Sequence, residues 1–340
     1  MEPTFADRLL NWWQENGRHD LPWQHPRTAY RVWISEIMLQ QTRVETVVGY
    51  FQRFMQRFPT VDALARVPLD DVLAAWSGLG YYARARNLHA AARELVAHHG
   101  GELPGEIDAL EALPGIGRST AAAIVAQAFD RRAVILDGNV KRVLARHAGI
   151  DGWPGQSSVQ RLLWQEADRR TPPGRAAAYT QAIMDLGATL CRPKQPDCAA
   201  CPVADDCKAR LDGRVHELPA PRPARTLPER SQRFLVARDG RGRILLARRP
   251  PTGIWGGLWC LPELDVDSMP ALHRLSRLDP LRHVFSHFAL TMHFEHGRWT
   301  DESAQVNDDD SRWFETEAAL ALGLPRPVRV VIEALCAMPV

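Results

Sequence analysis

Apolar residues recur every three or four positions through residues 4–190. The pattern is clearest over residues 5–13 and 47–58, where this spacing places the apolar side chains on one face of a helix. Gly17 and Pro59 interrupt it at points where helices are expected to end. The first part of the chain is therefore predicted to be an all-helical domain.

Four prolines stand among arginines between residues 213 and 230. This composition favours an extended, semi-rigid linker. The pattern therefore predicts a helical domain over residues 1–212, a linker over residues 213–230 and a second domain over residues 231–340.

The pattern changes to that of strands after the linker. Two apolar runs, residues 234–237 and 244–247, flank a glycine-containing turn, which is typical of a β-hairpin. Further strands are expected near residues 281–288 and 290–294, and a helix near residues 328–338. The second domain is predicted to be α+β.

The composition is that of a folded globular protein, since 45% of the 340 residues are hydrophobic and 24% are charged. The 42 basic and 40 acidic residues nearly cancel, so a nucleic-acid surface would have to be a local patch. No apolar run approaches the roughly 18 residues of a membrane span, and the N-terminus lacks the order of a signal peptide. We expect a cytoplasmic monomer with no membrane association.

Four of the six cysteines lie close together, at Cys191, Cys198, Cys201 and Cys207. Thiolates so near in sequence can converge on one metal centre. Spacing alone leaves an iron-sulfur cluster and zinc as alternatives, with unligated cysteines as a third. We call residues 191–207 the cysteine loop.

Residues 113–121 place Gly115 and Gly117 between two helical segments, and we call this stretch the hairpin. Glycines let the backbone approach a ligand closely, and the amides that open the second helix suit a phosphate. An ordinary tight turn between helices is the alternative. Asp137 precedes a further predicted helix, where an aspartate is commonly a simple N-cap.

Several long motifs follow one another in a characteristic order. They are residues 35–42 (SEIMLQQT), 78–88 (GLGYYARARNL), the hairpin, 135–142 (ILDGNVKR), the cysteine loop, 249–258 (RPPTGIWGGL) and 283–288 (HVFSHF). Together they closely resemble the MutY family of adenine DNA glycosylases over nearly the whole chain.

The resemblance implies a multidomain fold: an all-α helix-hairpin-helix glycosylase domain with an iron-sulfur cluster loop, followed by an α+β Nudix-like domain that recognises 8-oxoguanine. It implies a 4Fe-4S cluster on the four cysteines. The implied substrate is double-stranded DNA containing A:8-oxoguanine or A:G mispairs, in a bacterial-type cytoplasm, and the sequence leaves open whether repair partners dock on the linker.

The resemblance also implies the catalytic residues. Breaking an N-glycosidic bond requires a proton on the departing purine and a negative charge beside the sugar cation. Glu36 is the implied general acid, because apolar neighbours would raise its pKa. Asp137 is expected to remain ionised and stabilise the cation, with Asn139 orienting it. Without the resemblance, Glu36 would be an exposed carboxylate on a helix surface.

Ser119 in the hairpin occupies the position where strand-cleaving relatives carry a lysine that forms a Schiff base. We therefore predict a monofunctional glycosylase. Gly115, Gly117, Arg118 and Ser119 are the implied contacts to the DNA backbone.

The resemblance places three further residues at the lesion. Gln41 and Tyr81 would both act on the 8-oxoguanine side, Gln41 by inserting into the DNA helix and Tyr81 by wedging beside the oxidised base, and Ser286 would hydrogen-bond the edge of that base. The alternatives are a polar residue on a helix surface for Gln41, a core aromatic for Tyr81 and an ordinary strand end for Ser286.

Three other functions compete with this one. The second domain could be a Nudix hydrolase, but residues 265–277 lack the expected acidic helix. A glycosylase for oxidised or mismatched pyrimidines would share the helical fold, and a DNA-binding iron-sulfur redox sensor would need no paired carboxylates. We expect a glycosylase with a second domain that recognises DNA without hydrolysing nucleotides.

Overall fold

A computed structural model describes residues 2–224, 226–264, 272–299 and 310–336. The described residues before the sheet form twelve helices, and no strand occurs among them. These are α1 (Phe5–Asn16), α2 (Ala29–Leu39), α3 (Val44–Arg57), α4 (Val61–Arg66), α5 (Leu69–Ala75), α6 (Ala83–His98), α7 (Ile107–Glu111), α8 (Arg118–Phe129), α9 (Gly138–Ala148), α10 (Ser157–Arg170), α11 (Ala176–Thr189) and α12 (Lys208–Leu211). The predicted all-helical character is confirmed.

The strands and last helices follow from Glu229 onwards. They are β1 (Glu229–Arg238), β2 (Ile244–Arg248), β3 (Trp259–Cys260), β4 (Glu263–Leu264), β5 (Leu272–Arg277), β6 (Leu281–Val284), β7 (Ala289–Trp299), β8 (Ser311–Phe314), α13 (Thr316–Leu320) and α14 (Arg326–Cys336). The predicted β-hairpin (β1 and β2), the later strands (β6 and β7) and the C-terminal helix (α14) are therefore present, although β6 ends at Val284 and residues 337–338 of the predicted helix lie outside the described residues. No described helix is both long and apolar enough to cross a bilayer.

Residue contacts divide the chain into two compact units. The first unit contains residues 1–65 and 90–224, and the second contains residues 66–89 and 225–340. Both units are discontinuous in sequence, whereas the predicted domains are the continuous segments 1–212, 213–230 and 231–340. Those predicted limits stay a prediction.

The first unit is built around the apolar helices α2 and α8, which pack against each other. Alanines and branched residues of α8 allow a close approach to α2, whose Trp33 and Ile34 are fully buried. A reciprocal capping box between Thr4 and Asp7 begins α1. These local signals and the apolar faces together fix the helical packing.

The buried carboxylate of Asp185 connects α11 both to α1 and to the segment that follows it. It accepts hydrogen bonds from Trp13 Nε1 at 2.9 Å, from Arg18 N at 2.9 Å and from Arg18 Nη2 at 2.6 Å. Arg18 Nε and Gln181 Nε2 donate to the same carboxylate, and a buried charge is stable when such bonds satisfy its oxygens.

The second unit contains a mixed sheet. The long strands β1 and β7 pair in parallel over ten residues, while β2 and β6 add to them in antiparallel orientation. Phe234 and Val236 of β1 belong to the core that includes Ile332 of α14, whereas Leu235 and Ala237 belong to a cluster on the opposite face. The alternation follows from the two-residue period of a strand.

Residues 66–89 bond to the rest of the second unit through side chains. Tyr82 Oη donates to the carbonyl of Leu324 at 2.8 Å, and Arg86 Nη1 donates to the carbonyl of Gly256 at 2.7 Å. These long-range bonds explain why a helical segment belongs to the unit that holds the sheet.

Candidate active site

Glu36 lies on α2 and faces α8. Its side chain is partly exposed, although Ser35 and Ile37 on either side are buried. Gln127 Nε2 donates a hydrogen bond to Glu36 Oε1 at 2.9 Å. Burial, reinforced by the negative charge of Asp137, raises the pKa of Glu36 to about 7, and the bond from Gln127 opposes the rise. Glu36 can therefore hold a proton near neutral pH.

Asp137 is the N-cap of α9. Its Oδ1 accepts from the backbone N–H of Val140 at 2.7 Å, as the aspartate before a predicted helix should. Burial raises the pKa of Asp137, and the Val140 amide and the Arg142 guanidinium oppose that rise. The sequence argument anticipated the cap, which favours the charged form, but not the burial that outweighs it.

The two predicted carboxylates therefore share one site. They come from elements 101 residues apart in the chain (137 − 36), and the charge of one acts on the other. Two carboxyl groups in unlike surroundings are suited to different tasks, one holding a proton and the other carrying charge.

Asn139 lies beside Asp137 and is held by an arginine. Its Nδ2 is 3.5 Å from Asp137 Oδ2, and its Oδ1 accepts from Arg142 Nη2 at 2.8 Å. Arg142 also donates to the carbonyls of Gly187 at 2.8 Å and Cys191 at 2.7 Å. Sequence reasoning missed Arg142, although its place three residues after Asn139 on one helix was a usable signal.

The hairpin turns between α7 and α8. Gly115 has a φ of 78°, a conformation that favours glycine. Gly117 begins α8 without a side-chain cap, and a Cβ built on it would meet nothing within 4 Å. No side chain caps the start of α8, and uncapped amides at a helix N-terminus are suited to hold a phosphate.

The two residues after Gly117 already have partners within the protein. The Arg118 guanidinium lies 4.0 Å from the centre of the Trp164 ring. Ser119 Oγ accepts from the backbone N–H of Leu136 at 3.0 Å. Ser119 thus anchors the segment that leads to Asp137, a contact that sequence reasoning did not anticipate.

Gln41 and Tyr81 are both exposed and both have left-handed backbone conformations. Gln41, in the first unit, follows α2 in a turn with a φ of 60°. Tyr81, in the second unit, has a φ of 51° and is 55% exposed, so it is not a core aromatic. Non-glycine residues with such φ values are strained and cluster at functional sites.

Ser286 is exposed in the loop between β6 and β7. Phe285 and Phe288 flank it and stack with ring centres 4.6 Å apart. The stacked rings hold the two ends of the loop together, and Ser286 between them is exposed to solvent.

The four predicted cysteines line one cavity of the first unit. None of them forms a disulfide. Arg146, which is buried, donates to the carbonyl of Arg192 at 2.8 Å and approaches Cys191 Sγ at 3.3 Å. Among the described residues, no three His, Cys, Asp or Glu side chains are grouped as ligands of a single metal ion.

Comparisons with known proteins give a consistent result. The family model described as "HhH-GPD superfamily base excision DNA repair protein" matches residues 34–169, and a NUDIX domain model matches residues 233–334. The adenine DNA glycosylase of Buchnera aphidicola subsp. Acyrthosiphon pisum is 34% identical over 97% of both chains. The human adenine DNA glycosylase is 34% identical, over 85% of this chain and 66% of its own.

A solved structure described as a thermostable thymine-DNA glycosylase is similar to 61% of this chain and 95% of its own, with a TM-score of 0.55 and 27% identity. The predicted fold class, a helix-hairpin-helix glycosylase domain followed by a Nudix-like domain, is confirmed. The chain belongs to the adenine DNA glycosylases, which are DNA N-glycosylases of base excision repair.

Proposed function

We propose that this glycosylase removes adenine paired with 8-oxoguanine or guanine, by hydrolysis and without cutting the strand. The observation that supports it most strongly is the pair formed by Glu36 and Asp137, in which one carboxyl has a pKa near 7 and the other caps a helix. Such a pair can protonate a leaving base and stabilise the sugar cation at the same pH.

In this mechanism Glu36 delivers its proton to N7 of adenine as the glycosidic bond breaks. Asp137 faces the deoxyribose as an anion and stabilises its cationic carbon, by charge or by transient attachment. Asn139, held by Arg142, keeps Asp137 oriented. Glu36, now ionised, can accept a proton from the attacking water.

The monofunctional character rests on Ser119. Its side chain offers a hydroxyl rather than an amine, and that oxygen already accepts the Leu136 N–H. No Schiff base with the sugar can form at this position. Borohydride should therefore trap little protein on DNA, and efficient covalent capture would refute the proposal.

DNA contacts are assigned to the exposed residues of both units. The uncapped start of α8, with Gly115, Gly117 and Arg118, would hold phosphates. Gln41 would fill the gap left by the flipped adenine. Because phosphate contacts release counterions, affinity should fall steeply with salt.

The side of the duplex that carries 8-oxoguanine is assigned to two residues of the second unit. The strained, exposed Tyr81 would wedge beside the oxidised base, and Ser286 would bond to its edge. Ser286 lies in residues 231–340, which would form the recognition domain, whereas Tyr81 lies in residues 1–212, which would form the catalytic domain and contribute this residue to recognition.

The cysteine loop is proposed to hold a 4Fe-4S cluster. Four free thiols around one cavity, in a loop bonded to buried Arg146, form a suitable donor set. Cys191, Cys198, Cys201 and Cys207 would be the ligands, and a bound cluster would cross-link the loop through four iron–sulfur bonds. Zinc is the alternative. Measuring the iron and zinc contents of the purified protein distinguishes the two.

A recognition role also suits the second domain better than nucleotide hydrolysis. Glu263, whose spacing from Gly257 matches the opening of the Nudix motif, forms an ion pair with Arg249 at 2.5 Å. Residues 272–277 form β5 where a glutamate-rich helix would be needed, and residues 265–271 lie outside the described residues. Magnesium-dependent hydrolysis of oxidised dGTP by the full-length protein, retained in a Glu36→Gln variant, would contradict this assignment.

Single-turnover base release from duplexes with adenine opposite 8-oxoguanine, guanine, cytosine or thymine tests the proposal. We expect fast release opposite the two purines and slow release opposite the pyrimidines. Glu36→Gln should bind the same duplexes and release no base, whereas Glu45→Gln, at an exposed position of α3, should retain full activity. Equal rates for all four duplexes would refute the proposed specificity.

A further inference from the structure

Seven residues of α8 are buried, and one of them, Gln127, is polar. The other six are alanines, an isoleucine and a valine, which pack against apolar neighbours, whereas Gln127 is 3% exposed and carries an amide. A buried amide is costly unless its donors and acceptors find partners. The position of Gln127 therefore requires a specific partner.

That partner is the proposed general acid. Gln127 Nε2 lies 2.9 Å from Glu36 Oε1, and the bond joins residues 91 positions apart in the chain. Hydrogen bonds to a carboxylate are stronger than those between neutral groups. The bond therefore restrains the Glu36 side chain and occupies its Oε1.

We infer that Gln127 is the positioning residue of Glu36: its amide holds Oε1 and leaves Oε2 to carry the proton that adenine receives. The inference rests on the function proposed above. An N–H donor prefers the carbonyl-type oxygen of a carboxylic acid to its hydroxyl oxygen, so a proton on Glu36 resides on the oxygen that Gln127 does not contact. The proton therefore has one defined starting atom.

The same contact should influence when Glu36 holds its proton. The charged group that acts on Glu36 is Asp137, at the start of α9, while α8 contributes the neutral amide of Gln127. The residues that α3 buries beside α2 are apolar, namely Val47, Phe51 and Phe54. Donation from Gln127 favours the ionised carboxylate, so loss of the amide should raise the pKa of Glu36 further.

Gln127→Leu tests the inference in the full-length protein, with base release from an A:8-oxoguanine duplex measured under single-turnover conditions. At pH 6, where Glu36 is protonated in both proteins, the rate should fall about tenfold because the acid is less well oriented. The midpoint of the pH profile should move to higher pH, and affinity for the duplex should be unchanged. Gln165→Leu makes the same chemical change at an exposed position of α10 and should match the wild type.

The outcomes separate this inference from the proposed function. A wild-type protein that releases no adenine from this duplex overturns the proposed function. An active wild type, together with a Gln127→Leu variant whose rate and midpoint are unchanged, overturns the inference alone. A slower variant with an unshifted midpoint shows a merely structural role and also overturns it. If the leucine variant does not fold, Gln127→Met, which is unbranched and similar in length, provides the same comparison.

Discussion

The pH dependence of base release is the most direct consequence of the surroundings of Glu36. Burial and Asp137 raise its pKa from 4.5 to about 7, which corresponds to about 3 kcal/mol against ionisation. At pH 7 the protonated fraction is then about one half, whereas an unperturbed glutamate would be protonated in about one molecule in 300. The fold therefore supplies the acid form at neutral pH.

The direction in which the rate of base release changes with pH follows from the role of Glu36 as a general acid. A general acid must carry its proton before the bond breaks, so the rate should be greatest below the pKa and decline above it. We expect a midpoint near 7 and, above pH 8, about a tenfold loss for each further pH unit, whereas at low pH the rate should fall again as Asp137, whose pKa burial raises, takes up a proton. The assay is single-turnover release of adenine from an A:8-oxoguanine duplex at saturating enzyme, with binding checked at each pH.

Glu36→Gln provides the comparison. The substitution removes the acidic proton but keeps the shape of the side chain, so the rate of adenine release should fall by at least about 100-fold and lose its dependence on pH in this range. A wild-type rate that stays constant or increases from pH 6 to 9 would refute the reasoning, as would a glutamine variant within tenfold of the wild type.

Three further changes should alter stability or metal content. Gly187→Ala should lose about 1–3 kcal/mol of unfolding free energy in urea denaturation and slow base release, because the new Cβ would lie 2.6 Å from that of Asn139. Asp185→Asn should lose about 3 kcal/mol in the same measurement, because it leaves the Arg18 charge without its buried partner. Arg146→Ala should lower both the iron content and the melting temperature, because its guanidinium bonds to the backbone of the cysteine loop. Gly174→Ala, with nothing within 4 Å of the new Cβ, is the glycine control, and a wild-type result from any of the first three variants would contradict its argument.

Local signals allowed much of the site to be predicted. Asp137 was expected before a helix because an N-cap depends only on the next three residues, and it does accept from Val140. The hairpin and the cysteine loop were equally local, since their glycines and thiols are neighbours in sequence.

Other parts of the site depend on residues that are distant in sequence. The backbone strain and exposure of Tyr81 were not visible in a motif that also suits a core aromatic. The spacing of Arg142 from Asn139 on one helix is a local signal, but its bonds to Gly187 and Cys191, which lie on other elements, were not visible in the sequence. Gln127 was missed because the sequence does not show which group its side-chain amide contacts, and that group, Glu36, lies on another helix.

The sequence by itself determined the elements, their caps and the residue types available for chemistry, because hydrophobic periodicity and capping act within a few residues. Only the tertiary structure decided the protonation of the site. The pKa of Glu36 depends on its partial burial against α8, on the charge of Asp137 and on the amide of Gln127, and packing alone brings these groups together. Desolvation and Coulomb interactions depend on distance in space, which separation along the chain does not give.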